Sequence, residues 1–249
     1  MNKRHHEIVQ WVNKQGRQTL QAVAEQFSVS VQTVRSDIRL LAEKGLVLRS
    51  HGEVIPFPHC ENISFDQRRI RHAAGKKHIA DLCIKKLADY QSVFLGSGST
   101  VAEVANQLSS CQGLQVMTTN IYAARHLCEH PSCELTISGG RIRKRDQDVI
   151  GGDAMRFFQR YRADIGIFSV ATVNKKGHLF DFTDEEVMAR EALVEHCQYR
   201  ILVIDSTKYE KESRCRWGKM SDYDCIITDQ KPAQALLSSL KSQGVEILY

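Results

Sequence analysis

Residues 19–53 read TLQAVAEQFSVSVQTVRSDIRLLAEKGLVLRSHGE, and the fold of the first part of the chain is decided there. A short helix with an apolar face of Leu20, Val23, Ala24 and Phe27 runs into Ser28-Val29-Ser30. Ser30 stands where its hydroxyl can accept the free N–H groups that open a second helix. On that helix Val31, Val34, Ile38 and Leu41 recur at helical spacing and face inward, leaving Gln32, Thr33, Arg35, Ser36 and Arg39 outside. These residue types read DNA: arginine pairs with a guanine edge, glutamine with adenine, and threonine touches a thymine methyl or a phosphate. After Gly45, LVLRSHGEVI alternates about a glycine as a small β-wing does, bringing Arg49 and His51 to the same side. A plain αα-hairpin shares the two helices. The cap, the outward arginines, the wing and the N-terminal position together favour a reader of double-stranded operator DNA. Its expected contacts are Ser30, Gln32, Thr33, Arg35, Ser36, Arg39, Arg49 and His51.

The chain has 249 residues, room for this small domain and a larger one. Through residue 60 there are eight Lys/Arg against five Asp/Glu; the remaining 189 residues hold 26 against 24, so the positive excess concentrates in the reader. Segment 56–67, PFPHCENISFDQ, holds two of the four prolines and little periodicity, as a linker does. The expected division is a reader over 1–56, a linker over 57–75 carrying Arg68, Arg69, Arg71, Lys76 and Lys77 at or near its end, and a second domain over 76–249. The polar N-terminus MNKRHHEIVQW starts a helix rather than a signal peptide, and no apolar run reaches membrane-spanning length. A cytoplasmic protein with no membrane partner is expected. Eight scattered cysteines without a CxxC pair read as buried thiols, with no disulfide. The run His126-Leu127-Cys128-Glu129-His130-Pro131-Ser132-Cys133 holds ligand-type residues but lacks paired metal-site spacing, and is read as a surface loop. No metal and no cofactor are expected.

From residue 75 helices alternate with short apolar strands: SVFLGSGST, GLQVMTTN, ELTISGG, ADIGIFSVATV, RILVIDSTKY, CIITD and VEILY. Strands spaced by such helices form a parallel sheet covered on both faces, with sites at the strands' C-terminal ends. There the sequence places Ser97, Gly98, Ser99 and Thr100, whose glycine, hydroxyls and helix N-terminus suit a phosphate. Thr119-Asn120, Gly139-Gly140 and Asp205 with Lys208 stand at other strand ends. Lys208 would bring a point charge, and Asp205 a partner for it or an acceptor for sugar hydroxyls.

Residues 5–55 resemble the winged helix of the DeoR family of bacterial transcriptional regulators. The family run V-S-x-x-T-[VI]-R-R-D-[IL]-x-x-L is met by Val29, Ser30, Thr33, Val34, Arg35, Asp37, Ile38 and Leu41. Ser36 replaces a second arginine, and Glu53 a wing glycine. Residues 76–229 resemble the family's sensor domain, a relative of ribose-5-phosphate isomerase: D-x-G-T-T stands as Gly96-Ser97-Gly98-Ser99-Thr100, and D-x-[ST]-K as Asp205-Ser206-Thr207-Lys208. Gly96 replaces the usual acid, Ser99 a threonine, and Ser169-Val170-Ala171-Thr172-Val173 the usual G-x-x-G-[IV]. GGRIRKRDQDVIGGDAMRFFQRYRADIGI and HLFDFTDEEV are similar to the glycerol-3-phosphate repressor branch. The resemblance implies a winged helix-turn-helix joined to an α/β parallel-sheet sensor, repression as the common mode, and a phosphorylated sugar or polyol as effector. Two readers on a palindromic operator imply a homodimer or homotetramer. Two other readings compete: a degenerate pocket used only for assembly, and a sugar-phosphate isomerase. An isomerase needs a carboxylate base, which Asp181, Asp184, Glu185 or Glu186 could supply. The missing acid at Gly96 speaks against chemistry, and the expectation is a regulator, not an enzyme.

Overall fold

Helical spacing of apolar residues builds the first unit of the chain. The structure, a computed structural model, describes residues 3–43, 46–50, 52–56 and 64–249; the expected contact at His51, and with it Gly45 and Cys60, lies outside that set. Two compact units divide at 73/74. In the first, α1 (Lys3–Gln15), β1 (Gln18–Thr19), α2 (Leu20–Gln26), α3 (Val31–Glu43), β2 (Val47–Ser50), β3 (Glu53–Pro56) and α4 (Phe65–Ile70) follow in order. Thr19 caps α2 by accepting from the Ala22 N–H at 3.0 Å. Ile8 and Val12 of α1, Val23 of α2, Val34, Ile38 and Leu41 of α3, and Val47 and Val54 of the wing form one core. Each such side chain, taken fully from water, contributes about 1.5–3 kcal/mol. β2 and β3 pair antiparallel with Arg49 opposite Val54, and β1 adds a third strand that the sequence did not announce.

The segment expected as a linker differs past residue 63. Ser64 and Gln67 form a reciprocal capping box that starts α4, and the next helix already begins at Ala73. Lys76, counted among the basic linker residues, is 4% exposed inside that helix.

The second unit holds α5 (Ala73–Ile84), β4 (Ser92–Leu95), α6 (Ser99–Gln107), β5 (Gln115–Thr118), α7 (Ile121–Leu127), β6 (Glu134–Ile137), β7 (Arg141–Arg143), β8 (Asp148–Ile150), α8 (Gly152–Gln159), β9 (Ala163–Phe168), β10 (Thr172–Val173), β11 (His178–Asp181), α9 (Asp184–Glu195), β12 (Cys197–Val203), β13 (Cys215–Lys219), β14 (Cys225–Ile227), α10 (Gln234–Ser242) and β15 (Glu246–Leu248). Seven strands form one sheet in the order β15-β14-β12-β9-β4-β5-β6, parallel at every pairing. Alternation sorts its two faces. Val93 and Leu95 of β4 pack with side chains of α5, α6 and α7, while Phe94 packs on the other face with those of α8, α9 and α10, meeting Phe158 edge to face at 5.2 Å.

Three features depart from expectation. The run ADIGIFSVATV is two strands, β9 in the main sheet and β10 in a separate antiparallel sheet, β10-β11-β13. RILVIDSTKY leaves the sheet after Val203, and Ser206–Lys208 form a 3-10 turn. Of the cysteines expected to be buried, Cys128 is exposed and Cys133 and Cys215 are half-buried.

The chain adds β4, β5 and β6 outward in one direction, then returns to lay β9 on the other side of β4. This reversal opens a crevice at the C-terminal ends of β4 and β9, where open parallel sheets place ligands.

Candidate DNA-reading face and sensor cleft

In the first unit Ser30 accepts from the Thr33 N–H at 3.1 Å and shares a 2.9 Å hydrogen bond with the Thr33 hydroxyl. Both side chains therefore hold the start of α3, and Thr33 is half-buried. Gln32, Arg35, Ser36 and Arg39 stand exposed on α3, and Arg49 stands exposed on β2. Glu53, whose charge would repel phosphate, lies 3.5 Å from Arg17. Sequence reading left Asp37 without a role. It is 7% exposed, 2.8 Å from Arg4 Nε and 3.0 Å from His5 Nε2. Burial works to raise its pKa, but the hydrogen bonds from Arg4 and His5 outweigh that and hold it below the usual carboxylate range. Asp37 thus ties α1 to α3; the signal was an acid lying in helical register with Val34 and Ile38.

In the second unit the loop after β4 is shaped by Gly98, which adopts φ +110° as the residue before α6 and leaves that helix without a side-chain cap. A side chain there would be strained. Ser99 and Thr100 are 5% and 0% exposed, and the Thr100 hydroxyl has no hydrogen-bond partner among the described residues. Asn120, fully buried, organises the neighbourhood. Its Oδ1 accepts from the Ala123 N–H at 3.1 Å, capping α7, while Nδ2 donates to the Gly98 carbonyl at 3.2 Å. Thr118 donates to the Leu95 carbonyl at 2.8 Å and receives the Asn120 N–H at 3.0 Å.

A narrow cleft of about 20 Å³, open to solvent, lies here, lined by Gly96, Ser97 and Thr119 at the strand ends and by Asp148, Glu185, Glu186 and Arg190 among others; Gly98, Ser99, Thr100 and Asn120 stand behind this lining. Of the charged wall, sequence reading named Glu185 and Glu186 only as candidate bases of an isomerase, and did not name Asp148 or Arg190. Arg143 of β7 lies 2.8 Å from Asp148 and 2.9 Å from Glu186. Burial raises the Asp148 pKa even against Arg143; Glu186, also buried, is held below its ordinary value by Arg143, Arg190 and Thr183. Arg190 is 2.6 Å from Asp181 and bonds the Ser169 carbonyl. Burial pushes the Asp181 carboxyl up to about 6 against the pull of Arg190.

The remaining expected residues are placed nearby or apart. Lys208 donates to Ser169 Oγ at 2.9 Å and the Val170 carbonyl at 2.7 Å, at the end of β9. It does not line the cleft; it holds the backbone that Arg190 grips from the cleft side. Asp205 caps the Ser206–Lys208 turn through the Thr207 N–H at 3.1 Å. Gly139 and Gly140 do not line the cleft either. Gly140, at φ +130°, lies against Asp153, where an added Cβ would approach the Asp153 Cβ to 2.8 Å. In the cysteine- and histidine-bearing loop, His130 uses Nε2 with the Leu108 carbonyl at 3.1 Å and Nδ1 with the Ser132 N–H at 3.2 Å. Among the described residues no three His, Cys, Asp or Glu side chains gather as a metal site requires.

Comparison with known proteins matches residues 4–55 to the DeoR-like helix-turn-helix domain and residues 71–230 to the DeoR C-terminal sensor domain. The chain belongs to the DeoR family. Among DeoR-family relatives it is 31% identical to the HTH-type transcriptional repressor CsqR of Escherichia coli K12, over 99% of this chain and 95% of that one. It is 28% identical to the glycerol-3-phosphate regulon repressor of the same organism, over 98% and 97%. The L-fucose operon activator of Haemophilus influenzae is 27% identical over 92% of each chain. A ribose 5-phosphate isomerase A structure from Methanocaldococcus jannaschii is 14% identical with a TM-score of 0.39, over 55% of this chain and 54% of that one, a likeness too distant to bear on chemistry. These DeoR-family relatives are transcriptional regulators, not enzymes. The protein is a DeoR-family regulator with a DNA-binding helix-turn-helix and a sensor domain, and among its described residues no helix is long and apolar enough to cross a membrane.

Proposed function

We propose that this regulator represses a carbohydrate-utilisation operon, and that a phosphorylated sugar or polyol bound at the ends of β4 and β9 controls its hold on operator DNA. Gln32, Arg35, Ser36, Arg39 and Arg49 meet the duplex, with Ser30 and Thr33 fixing the start of α3. The observation that carries the sensing half is the Thr100 hydroxyl: fully buried, without a hydrogen-bond partner among the described residues, beside a glycine that opens a helix with no side-chain cap. A buried unpaired hydroxyl costs about 1–3 kcal/mol, which a phosphate oxygen at the helix N-terminus relieves. The names of the repressor relatives support a phosphorylated, glycerol- or sugar-derived effector.

The reading assigns 1–56 to the reader, 57–75 to the connection and 76–249 to sensing and self-assembly as a homodimer or homotetramer, working in the cytoplasm. Ser97, Gly98, Ser99, Thr100, Thr119 and Asn120 form or hold the phosphate end. Lys208, Asp205 and the Gly139-Gly140 turn shape its surroundings. The effector shifts operator affinity only by binding the DNA-competent and released arrangements unequally.

The test is the melting temperature of the purified protein across phosphorylated sugars and polyols, with unphosphorylated and sulfonated analogues alongside. A ligand at 100 times its Kd stabilises by about 2.7 kcal/mol, so one phosphorylated compound raising the melting point selectively is the expected result. A broad panel without any shift overturns the sensing half.

A further inference from the structure

We propose that Glu185 is the residue that reads the hydroxyl groups of the cleft's ligand, exchanging Arg141 for them on binding; this rests on the effector reading above.

Three carboxylates line the cleft: Asp148, Glu185 and Glu186. Two are committed. Asp148 and Glu186 are 2% and 7% exposed and share the guanidinium of Arg143. Glu186 also accepts from the backbone N–H groups of Phe182 at 3.2 Å and Thr183 at 3.1 Å as part of the α9 cap. Arg143, only 16% exposed in its side chain, also pairs with Asp146 at 3.0 Å, so turning Asp148 or Glu186 toward a ligand breaks up a buried ion-pair cluster, which is costly.

Glu185 is built differently. It follows Asp184 in the first turn of α9, its side chain is 44% exposed, and its partner Arg141, at the start of β7, is 65% exposed. An ion pair so open to water contributes little, because solvent competes for both charges. Glu185 can therefore leave Arg141 at small cost, and it is the carboxylate of the three that can change partner. Its wall faces Gly96 and Ser97 across the same cleft. A carboxylate accepts hydrogen bonds from hydroxyls and repels phosphate, so Glu185 also orients the ligand: phosphate toward the Gly96–Thr100 loop, hydroxyl-bearing carbons toward α9. Bonds to a charged acceptor are among the stronger ones.

The experiment is titration calorimetry of the full chain, Glu185→Gln and Arg141→Ala, with inorganic phosphate and with the tightest-binding phosphorylated polyol of the panel. Glu185→Gln should weaken the polyol phosphate on the order of 10- to 100-fold while leaving inorganic phosphate within about twofold, because phosphate uses the loop alone. Arg141→Ala, which removes the competing partner, should strengthen the polyol phosphate by at most about fivefold. Arg141 is exposed and Glu185 half-buried with an open side chain, so the ligand-free melting points should stay close to the parent's. Unchanged polyol-phosphate affinity in Glu185→Gln overturns the inference and leaves the effector reading standing. A parent protein that binds neither phosphate nor any phosphorylated polyol overturns the effector reading, and this inference with it.

Discussion

The Nε atom of Arg4 lies 2.8 Å from Oδ2 of Asp37, so the first helix of the reader is fastened to the recognition helix by an ion pair that His5 completes at 3.0 Å. Asp37→Asn keeps the shape and removes the charge. Arg4 is 36% exposed in its side chain, which discounts the full penalty of a broken buried pair to about 1–3 kcal/mol. The reader should melt earlier by circular dichroism. The sign with pH follows from the lowered pKa: the pair stabilises fully above the ordinary value of 3.8 and loses its contribution as pH falls through the folded value. An acid titration of the parent should show this loss below about 3.8, and Asp37→Asn should lack it.

Arg35 is exposed on α3, near the half-buried Val31 and Thr33 at the start of the helix. Arg35→Ala should cost about 1–3 kcal/mol of operator binding and relax preference at one base pair, where a lost phosphate contact would weaken all sequences alike. Fluorescence anisotropy with the operator and single-base variants separates the two; unchanged specific affinity would remove Arg35 from the interface.

Asn120 joins α7 to the loop after β4 through its two amide functions. Asn120→Ala empties both, leaving the Gly98 carbonyl and the Ala123 N–H without these bonds, and should lower stability to denaturant by about 1–3 kcal/mol. The ligand-induced melting shift should fall as well, since the loop loses its brace.

The main sheet was legible because each of its seven strands is an apolar run separated from the next by a helix-length segment. The elements that escaped are those without such a run. β7 is only Arg141–Arg143 and β10 only Thr172–Val173, too short for alternation to register. α10 escaped because QALLSSLKS mixes serines into a short apolar stripe. The strand-end half of the site, Ser97, Thr119 and their supporting Asn120, followed from topology. Its charged half did not, because a buried ion pair leaves no period: Arg190 reads as one more polar residue of EEVMAREALVEHC until Asp181, nine positions earlier, is brought against it. Lys208 was read as a point charge for the ligand, and its long stem carries the ammonium to Ser169 Oγ and the Val170 carbonyl.

That placement makes Lys208→Ala a sharp test. If Lys208 only ties down Ser169 and Val170, the variant should lose about 1 kcal/mol of sensor stability and keep a ligand-induced shift near the parent's. If the ammonium also meets the phosphate, the shift should fall by about tenfold in ligand concentration. Thermal titration with the same phosphorylated compound decides between them.

The cleft is closed by chain segments far apart in order, Gly96 on one side and α9, ending at Glu195, on the other. The reader's whole core lies before residue 55. During synthesis the core of the DNA-reading unit is therefore complete about 140 residues before the last wall of the cleft has been made.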